Sequence, residues 1–278
     1  MRFNKVYLEI TNACNLKCSF CHGTSRAARL MTADEFDFLT DRLKGYTEYL
    51  YYHLLGEPLI HPQLPVFLKM ARDKGYRSIV TTNGTLLEKC GEELLKTKAL
   101  HKVNISLQSF EGNSNGDPLK YVRTCADFVR RASAEGVICV FRLWNINGAD
   151  SLNEMIVSEL NYCFPGTYSE ARGGIRLDDR VYLEYAGIFS WPDIESDEIS
   201  SSCYCYGLKD QLGILCDGTV VPCCLDADGV ISLGNLFQDD LDTVLSSKRA
   251  EDMIEGFKSR KLSEELCRKC GYARRFDK

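Results

Sequence analysis

No stretch of this 278-residue sequence approaches the roughly 20 consecutive apolar residues that a membrane-spanning helix requires. The N-terminus also lacks a signal-peptide core. Met1-Arg2-Phe3-Asn4-Lys5 leads straight into a strand-like segment, which points to the cytoplasm. Positive charge is not in excess: 34 Lys and Arg stand against 39 Asp and Glu, for a net charge of -5. The basic face that nucleic acid demands is therefore not expected. There is no internal repeat and no low-complexity tract. With 45% apolar and 26% charged residues, the composition is that of an ordinary soluble globular chain. Its length suits one large domain or a main domain with a small appendage.

Cysteine, by contrast, is abundant, with 14 in the chain. In a short secreted protein that number would mean disulfides, but this chain is long enough to bury its own core. In a reducing compartment, clustered cysteines are metal ligands or catalytic groups. Cys14, Cys18 and Cys21 form a tight N-terminal trio. Cys90, Cys125, Cys139 and Cys163 fall in helix and strand interiors, where packing accounts for them. The remainder run from Cys203 to Cys270.

Hydrophobic periodicity orders the chain. Strands are expected at Val6–Ile10, Tyr49–Leu54, Ser78–Thr82, Val103–Leu107, Val137–Trp144 and Val181–Tyr185. Helices fall between them. Thr32-Ala33-Asp34-Glu35 has the form of a capping box, and Ser151-Leu152-Asn153-Glu154 repeats it. Strands alternating with helices imply an α/β fold with a parallel sheet and right-handed crossovers. In such sheets the chemistry sits at the carboxyl ends of the strands. The loops there hold the cysteine trio, Gly56-Glu57-Pro58, Thr82-Asn83-Gly84 and Ser106-Leu107-Gln108. After Trp191 a polar, serine-rich linker leads to a hairpin over Leu212–Cys223, turning at Asp217-Gly218. Short helices are expected over Leu241–Ser247 and Ala250–Lys258.

The trio, Cys14-x3-Cys18-x2-Cys21, has two readings from its residues alone. Structural zinc wants four closed ligands, and the next cysteine after Cys21 is Cys90. Three thiolates on a [4Fe–4S] cube would leave one iron open to a ligand. An aromatic, Phe20, precedes the last cysteine, the motif follows a first strand, and Gly56-Glu57-Pro58 follows the second. In these features the chain resembles the radical S-adenosylmethionine (SAM) superfamily, over roughly residues 5 to 190. The resemblance implies a partial (β/α)6 TIM-type barrel, a [4Fe–4S] cluster on Cys14, Cys18 and Cys21, and SAM chelated at the open iron. It further implies that Gly56 and Glu57 hold the cofactor's amino group, that Phe20 lies against its adenine, and that Asn83 and Ser106 border it. Arg123 or Arg142 would pair with its carboxylate. The family's usual Gly-Gly-Glu reads Leu55-Gly56-Glu57 here.

The C-terminal cysteines resemble the SPASM/Twitch extension of the same superfamily. Cys205, Cys223 and the pair Cys267-x2-Cys270 would bind a second [4Fe–4S] cluster, with Cys203 an alternative to Cys205. No further cysteine follows Cys270, which matches the shorter, single-cluster Twitch form; a zinc ribbon is the other reading of four such thiols. The implied division is a radical SAM barrel over residues 1–200 and a hairpin-plus-helix cluster domain over 201–278. Cys216 and Cys224 are surplus, either packing or donating a hydrogen atom to a substrate radical. Trp144, Arg142, Glu184 and Tyr185 lie near strand ends as candidate pocket walls.

The implied activity is oxidation or another modification of a small molecule or short peptide at an unactivated carbon. A one-electron donor such as flavodoxin or ferredoxin would be the partner, with no role for nucleic acid or membrane. The alternatives are a radical epimerase, a crosslinking enzyme for a ribosomally made peptide, and a cluster protein that only binds.

Overall fold

The computed structural model describes residues 2–113, 116–171 and 173–276. Met1 and residues 277–278, at the ends of the two expected domains, lie outside the described residues. The alternation expected from the pattern is present: β1 (Lys5–Leu8), α1 (Ala33–Arg42), β2 (Tyr49–Tyr51), α2 (Leu64–Asp73), β3 (Arg77–Thr82), α3 (Leu87–Lys96), β4 (Leu100–Ser106), α4 (Pro118–Ala134), β5 (Ile138–Ile146) and α5 (Asn153–Cys163). A short hairpin, β6 (Ser169–Ala171) and β7 (Gly174–Asp178), then precedes β8 (Val181–Gly187). It was not expected from the sequence because its strands are short, at 3 and 5 residues, and Leu177 is their one buried residue. The remainder comprises β9 (Gln211–Ile214), β10 (Thr219–Val221), β11 (Gly234–Asn235), α6 (Leu241–Leu245), α7 (Lys248–Lys258) and α8 (Glu265–Arg268).

These strands form one sheet in the order β11-β10-β9-β1-β2-β3-β4-β5-β8-β7-β6. From β9 to β8 every neighbouring pair is parallel, giving the open, partial barrel. Both edges end in antiparallel ribbons. One pairing reaches across almost the whole chain: Lys5 to Leu8 lie in register with Gln211 to Ile214. The expected C-terminal unit therefore extends the barrel sheet itself. Among the described residues, no helix is long and apolar enough to cross a membrane.

Local chemistry explains the helix starts. At α1 the capping box is complete, since Thr32 Oγ1 accepts from Glu35 N while the Glu35 carboxylate accepts from Thr32 N. The second expected box does not form. Leu152 is the N-cap of α5 and makes no side-chain cap bond. Asn153 instead exchanges two hydrogen bonds with the buried amide of Asn145, at 3.0 and 3.1 Å, and that pairing sets where the helix begins.

The helices cover the outer face of the sheet. There Phe36 of α1 stacks on Phe67 of α2 with ring centroids 4.5 Å apart, and Tyr52 follows at 5.9 Å. All three side chains are fully buried. Removing the ring at Phe36 leaves a cavity beside two fully buried rings. Phe36→Ala is expected to cost about 3–5 kcal/mol, read as a lowered denaturant midpoint with an unchanged slope.

Candidate active site

The trio occupies the loop that leaves β1. Cys14 and Cys21 are exposed and Cys18 is half-buried. Several contacts hold this loop in place. The Ser19 amide and hydroxyl both donate to Glu111 at 2.7 Å. Trp191 Nε1 donates to the Phe20 carbonyl at 2.9 Å, and the Trp191 ring stacks on His22. Further along, Arg26 makes a bidentate pair with Glu9, at 2.7 and 2.8 Å, just past the end of β1. Glu9 is fully buried and also accepts the Cys216 amide; Arg26 Nε donates to the Ala227 carbonyl.

Gly56 lies where this loop crosses the end of β2. Its φ is +77°, and a Cβ there would sit 2.4 Å from the Thr11 carbonyl oxygen and 2.9 Å from that of Ala13. Only glycine permits both the left-handed turn and the approach. The Glu57 carboxylate beside it is buried, and its oxygens accept from Leu59 N, Thr82 Oγ1 and Asn83 N. It thus ties the ends of β2 and β3 together, and only the local backbone is left to meet a ligand. Burial pushes its pKa up to about 7 against the pull of those three donors. Asn83 stands beside the trio: its Nδ2 donates to Asn15 at 2.9 Å and lies 4.0 Å from Cys14 Sγ.

Inside the partial barrel is a cavity of about 600 Å³. Phe20 and Ser106 of the expected cofactor contacts line it, as do Arg142 and Cys224. So do Trp144 and Glu184, but Tyr185 does not; it packs toward the core, since neighbouring strand residues face opposite sides. Arg142 is largely buried, its guanidinium 4.3 Å from the Trp144 ring centroid and its Nε 3.7 Å from Glu184. Three buried polar atoms on these walls have no hydrogen-bond partner: Arg142 Nε, Gln108 Oε1 and His53 Nδ1. Burial depresses the His53 pKa to about 3, so its ring is neutral. Orphaned polar atoms around an open chamber fit a polar ligand.

The structure corrects two further expectations. Arg123 is half-exposed on α4, with its Nε 2.6 Å from Glu159 of α5 and its guanidinium over Tyr162. That pair holds it on the outer layer, away from the cavity. Cys216 is buried near Arg29, its amide captured by Glu9, and does not line the cavity; Cys224 does.

The C-terminal thiols assemble around a second, apolar cavity. Cys205, Cys223, Cys267 and Cys270 line it, together with Cys203, Phe257 and Leu262. Burial pushes all four up, Cys205 to about 11, so alone they stay protonated. A metal would convert them to thiolates. Gly207 N donates to Cys205 Sγ at 3.3 Å, as Leu16 N does to Cys14 at 3.5 Å. Amide-to-sulfur bonds of this kind stabilise thiolate charge on a cluster. Four thiols lining one apolar cavity, and three on a fastened loop beside a polar chamber, fit in residue type the groups the sequence implies, although among the described residues no three such side chains already stand in metal-holding geometry.

Residues 8–150 match the radical SAM superfamily, and the chain belongs to that family. Residues 203–271 match the iron–sulfur cluster-binding domain called SPASM, so the chain is a radical SAM enzyme with a SPASM-type C-terminal part. The two families bring [4Fe–4S] clusters and SAM as cofactors.

The probable GTP 3′,8-cyclase of Methanococcus vannielii is 36% identical over 118 residues, 41% of this chain and 37% of that protein. The Fe-coproporphyrin III synthase of Methanosarcina barkeri is 31% identical over 105 residues, 37% of this chain and 26% of that protein. The matched segments therefore span well under half of these relatives.

Likeness to solved structures runs over nearly the whole chain. BtrN in complex with AdoMet and 2-DOIA has a TM-score of 0.62 at 18% identity, covering 97% of this chain and 94% of BtrN. Streptococcus suis SuiB bound to S-adenosylmethionine has a TM-score of 0.64 at 19% identity, covering 97% and 71%. At such identities the likeness is one of fold.

Two outcomes follow. Gly56→Ala drives a methyl group into the backbone of residues 11–13, and is expected to cut SAM affinity at least tenfold while secondary structure by circular dichroism stays intact. Glu57 titrates with a raised pKa. In the chain without clusters or cofactor, its contribution to stability is full below about pH 4.5 and is lost as pH rises through about 7. Denaturant midpoints across that range should fall for the wild type relative to Glu57→Gln, which has no proton to lose.

Proposed function

We propose that this chain is a radical SAM oxidoreductase that modifies a small molecule or short peptide held in the barrel cavity. One observation carries the reading: a chain neighbour of each set of thiols lines the same cavity. Phe20, next to Cys21, and Cys224, next to Cys223, both line it. Cys14, Cys18 and Cys21 would hold one [4Fe–4S] cluster, and Cys205, Cys223, Cys267 and Cys270 the other. Bound there, the first cluster and SAM would supply radical chemistry able to take a hydrogen atom from an unactivated carbon, and the second cluster would supply an acceptor for the next electron.

The chain's own residues position and shield. The backbone at Gly56 and Glu57 presents carbonyls to the cofactor's ammonium, while the Glu57 carboxylate keeps the ends of β2 and β3 together. Ser106 and Phe20 border the adenosyl group. Arg142 stands level with Ser106 in the register of β4 and β5, available to a carboxylate of cofactor or substrate. Trp144, Phe189, Trp191 and Tyr272 exclude water from the chamber. Solved neighbours hold AdoMet with 2-DOIA in BtrN and with the Kp18Cys peptide in anSMEcpe, so both ligand sizes fit this fold. A cytoplasmic flavodoxin or ferredoxin would supply the reducing electron.

A second reading, epimerisation, rests on Cys224. Its thiol is in the cavity wall and hydrogen-bonds with Tyr7, where it would return a hydrogen atom to a substrate radical.

Reconstituted protein should carry about eight irons per chain and form 5′-deoxyadenosine when reduced. Replacing Cys14, Cys18 and Cys21 with Ala should leave about four irons and no cleavage. Zinc as the only metal would overturn the assignment. Replacing Cys205, Cys223, Cys267 and Cys270 should leave cleavage intact and stop product formation. In deuterium oxide, product lighter by two hydrogens supports oxidation. Unchanged composition with one carbon-bound deuterium, abolished by Cys224→Ala, establishes the epimerase instead.

A further inference from the structure

The cavity's floor differs chemically from its mouth. Lys5 at the start of β1 and Lys102 near the start of β4 both face into it, and Arg142 lies above them. The cavity's lining includes one carboxylate, Glu184, and that is already committed toward Arg142 at 3.7 Å. Neither lysine has a carboxylate within ion-pair distance among the described residues. Burial lowers the Lys102 pKa; the field of Glu184 opposes that shift, while Arg142 and Lys5 add to it. A half-enclosed chamber that gathers three cations around one anion is electrostatically incomplete. The same walls carry Trp144 and Trp191, broad apolar faces above the charged floor.

We propose that the substrate is an anion, whose carboxylate or phosphate group seats between Lys5 and Lys102 while an unsaturated or apolar body packs on the tryptophans. This rests on the reading of the cavity as the substrate chamber. An anionic end at the floor leaves the other end directed to the mouth, where Phe20 and Ser106 stand beside the trio loop. The lysines therefore select the substrate and fix which end reacts. Arg142 belongs to the upper layer, level with Ser106, so the assignment of the floor to the lysines holds whether Arg142 meets cofactor or substrate.

The probes are phenyl phosphate, phenylacetate and the neutral phenylacetamide, titrated calorimetrically into anaerobically reconstituted protein with SAM bound. The chain's 2 tryptophans both line the cavity, so intrinsic fluorescence gives a second readout confined to it. At least one anion should bind ten or more times tighter than phenylacetamide, with affinity falling as salt rises. The tighter of the two anions names the group. Lys102→Gln and Lys5→Gln should each erase most of that preference and leave phenylacetamide binding unchanged, while Lys102→Arg keeps it. Equal binding of all three probes to the wild type overturns the proposal without recourse to any variant, as does an anion preference that survives both glutamine substitutions. Formation of 5′-deoxyadenosine by the wild-type preparation tests the underlying function separately. Cleavage without anion preference sinks the subsite alone; anion preference without cleavage sinks the enzymatic reading and leaves the subsite standing.

Discussion

The bidentate pair between Glu9 and Arg26 is the constraint on which the rest of the arrangement depends. Glu9 is fully buried at the end of the first strand, and a carboxylate there is tolerable only with its charge and lone pairs satisfied. Arg26 supplies two of those bonds and Cys216 N a third. The same guanidinium reaches the Ala227 carbonyl, and Thr24 and Ser25 add bonds to Asp228. One buried charge thus joins the strand end, the segment after the trio and the turn after Cys223 and Cys224. Taking away one partner of such a pair typically costs about 3–5 kcal/mol, because the other is left charged in the interior. The knot ties together the two segments from which Phe20 and Cys224 reach a common cavity.

The barrel interior follows a different rule from most parallel sheets, whose strands are buried on both faces and read as continuous apolar runs. In β4, Lys102, Asn104 and Ser106 alternate with Val103 and Ile105. The apolar set packs under the helices, and the polar set turns inward, where Asn104 Nδ2 donates to Thr81 across the sheet at 3.0 Å. An interior built this way cannot collapse into a filled core. It stays open and selective.

That contrast explains what could be read from the sequence. The trio, its strand, Gly56 and the order of parallel strands depend on short-range spacing, and all are legible in the residues themselves. Arg123 misled because a helix position says nothing about what lies across the interhelical groove, and Glu159 is 36 residues away. Cys216 and Cys224 looked equivalent beside one hairpin; only the capture of the Cys216 amide by Glu9, from the far end of the chain, separates them. The period-two polar pattern of β4 was visible, but its meaning required knowing that the inner face of this sheet encloses space. The pairing of β9 with β1 carries no local signal at all.

That last pairing has a kinetic consequence. β1 acquires β2 as a neighbour within some forty residues of synthesis, yet its other edge waits for Gln211–Ile214. At ribosomal rates the delay is about 10–40 s for the two hundred or so residues between. Throughout it, β1 presents a bare row of backbone donors and acceptors, the geometry that recruits stray strands. Closure also lengthens the search, because a contact of such high sequence separation must overcome the entropy of a very long loop. The strand that leads into the trio is therefore among the last to be sealed.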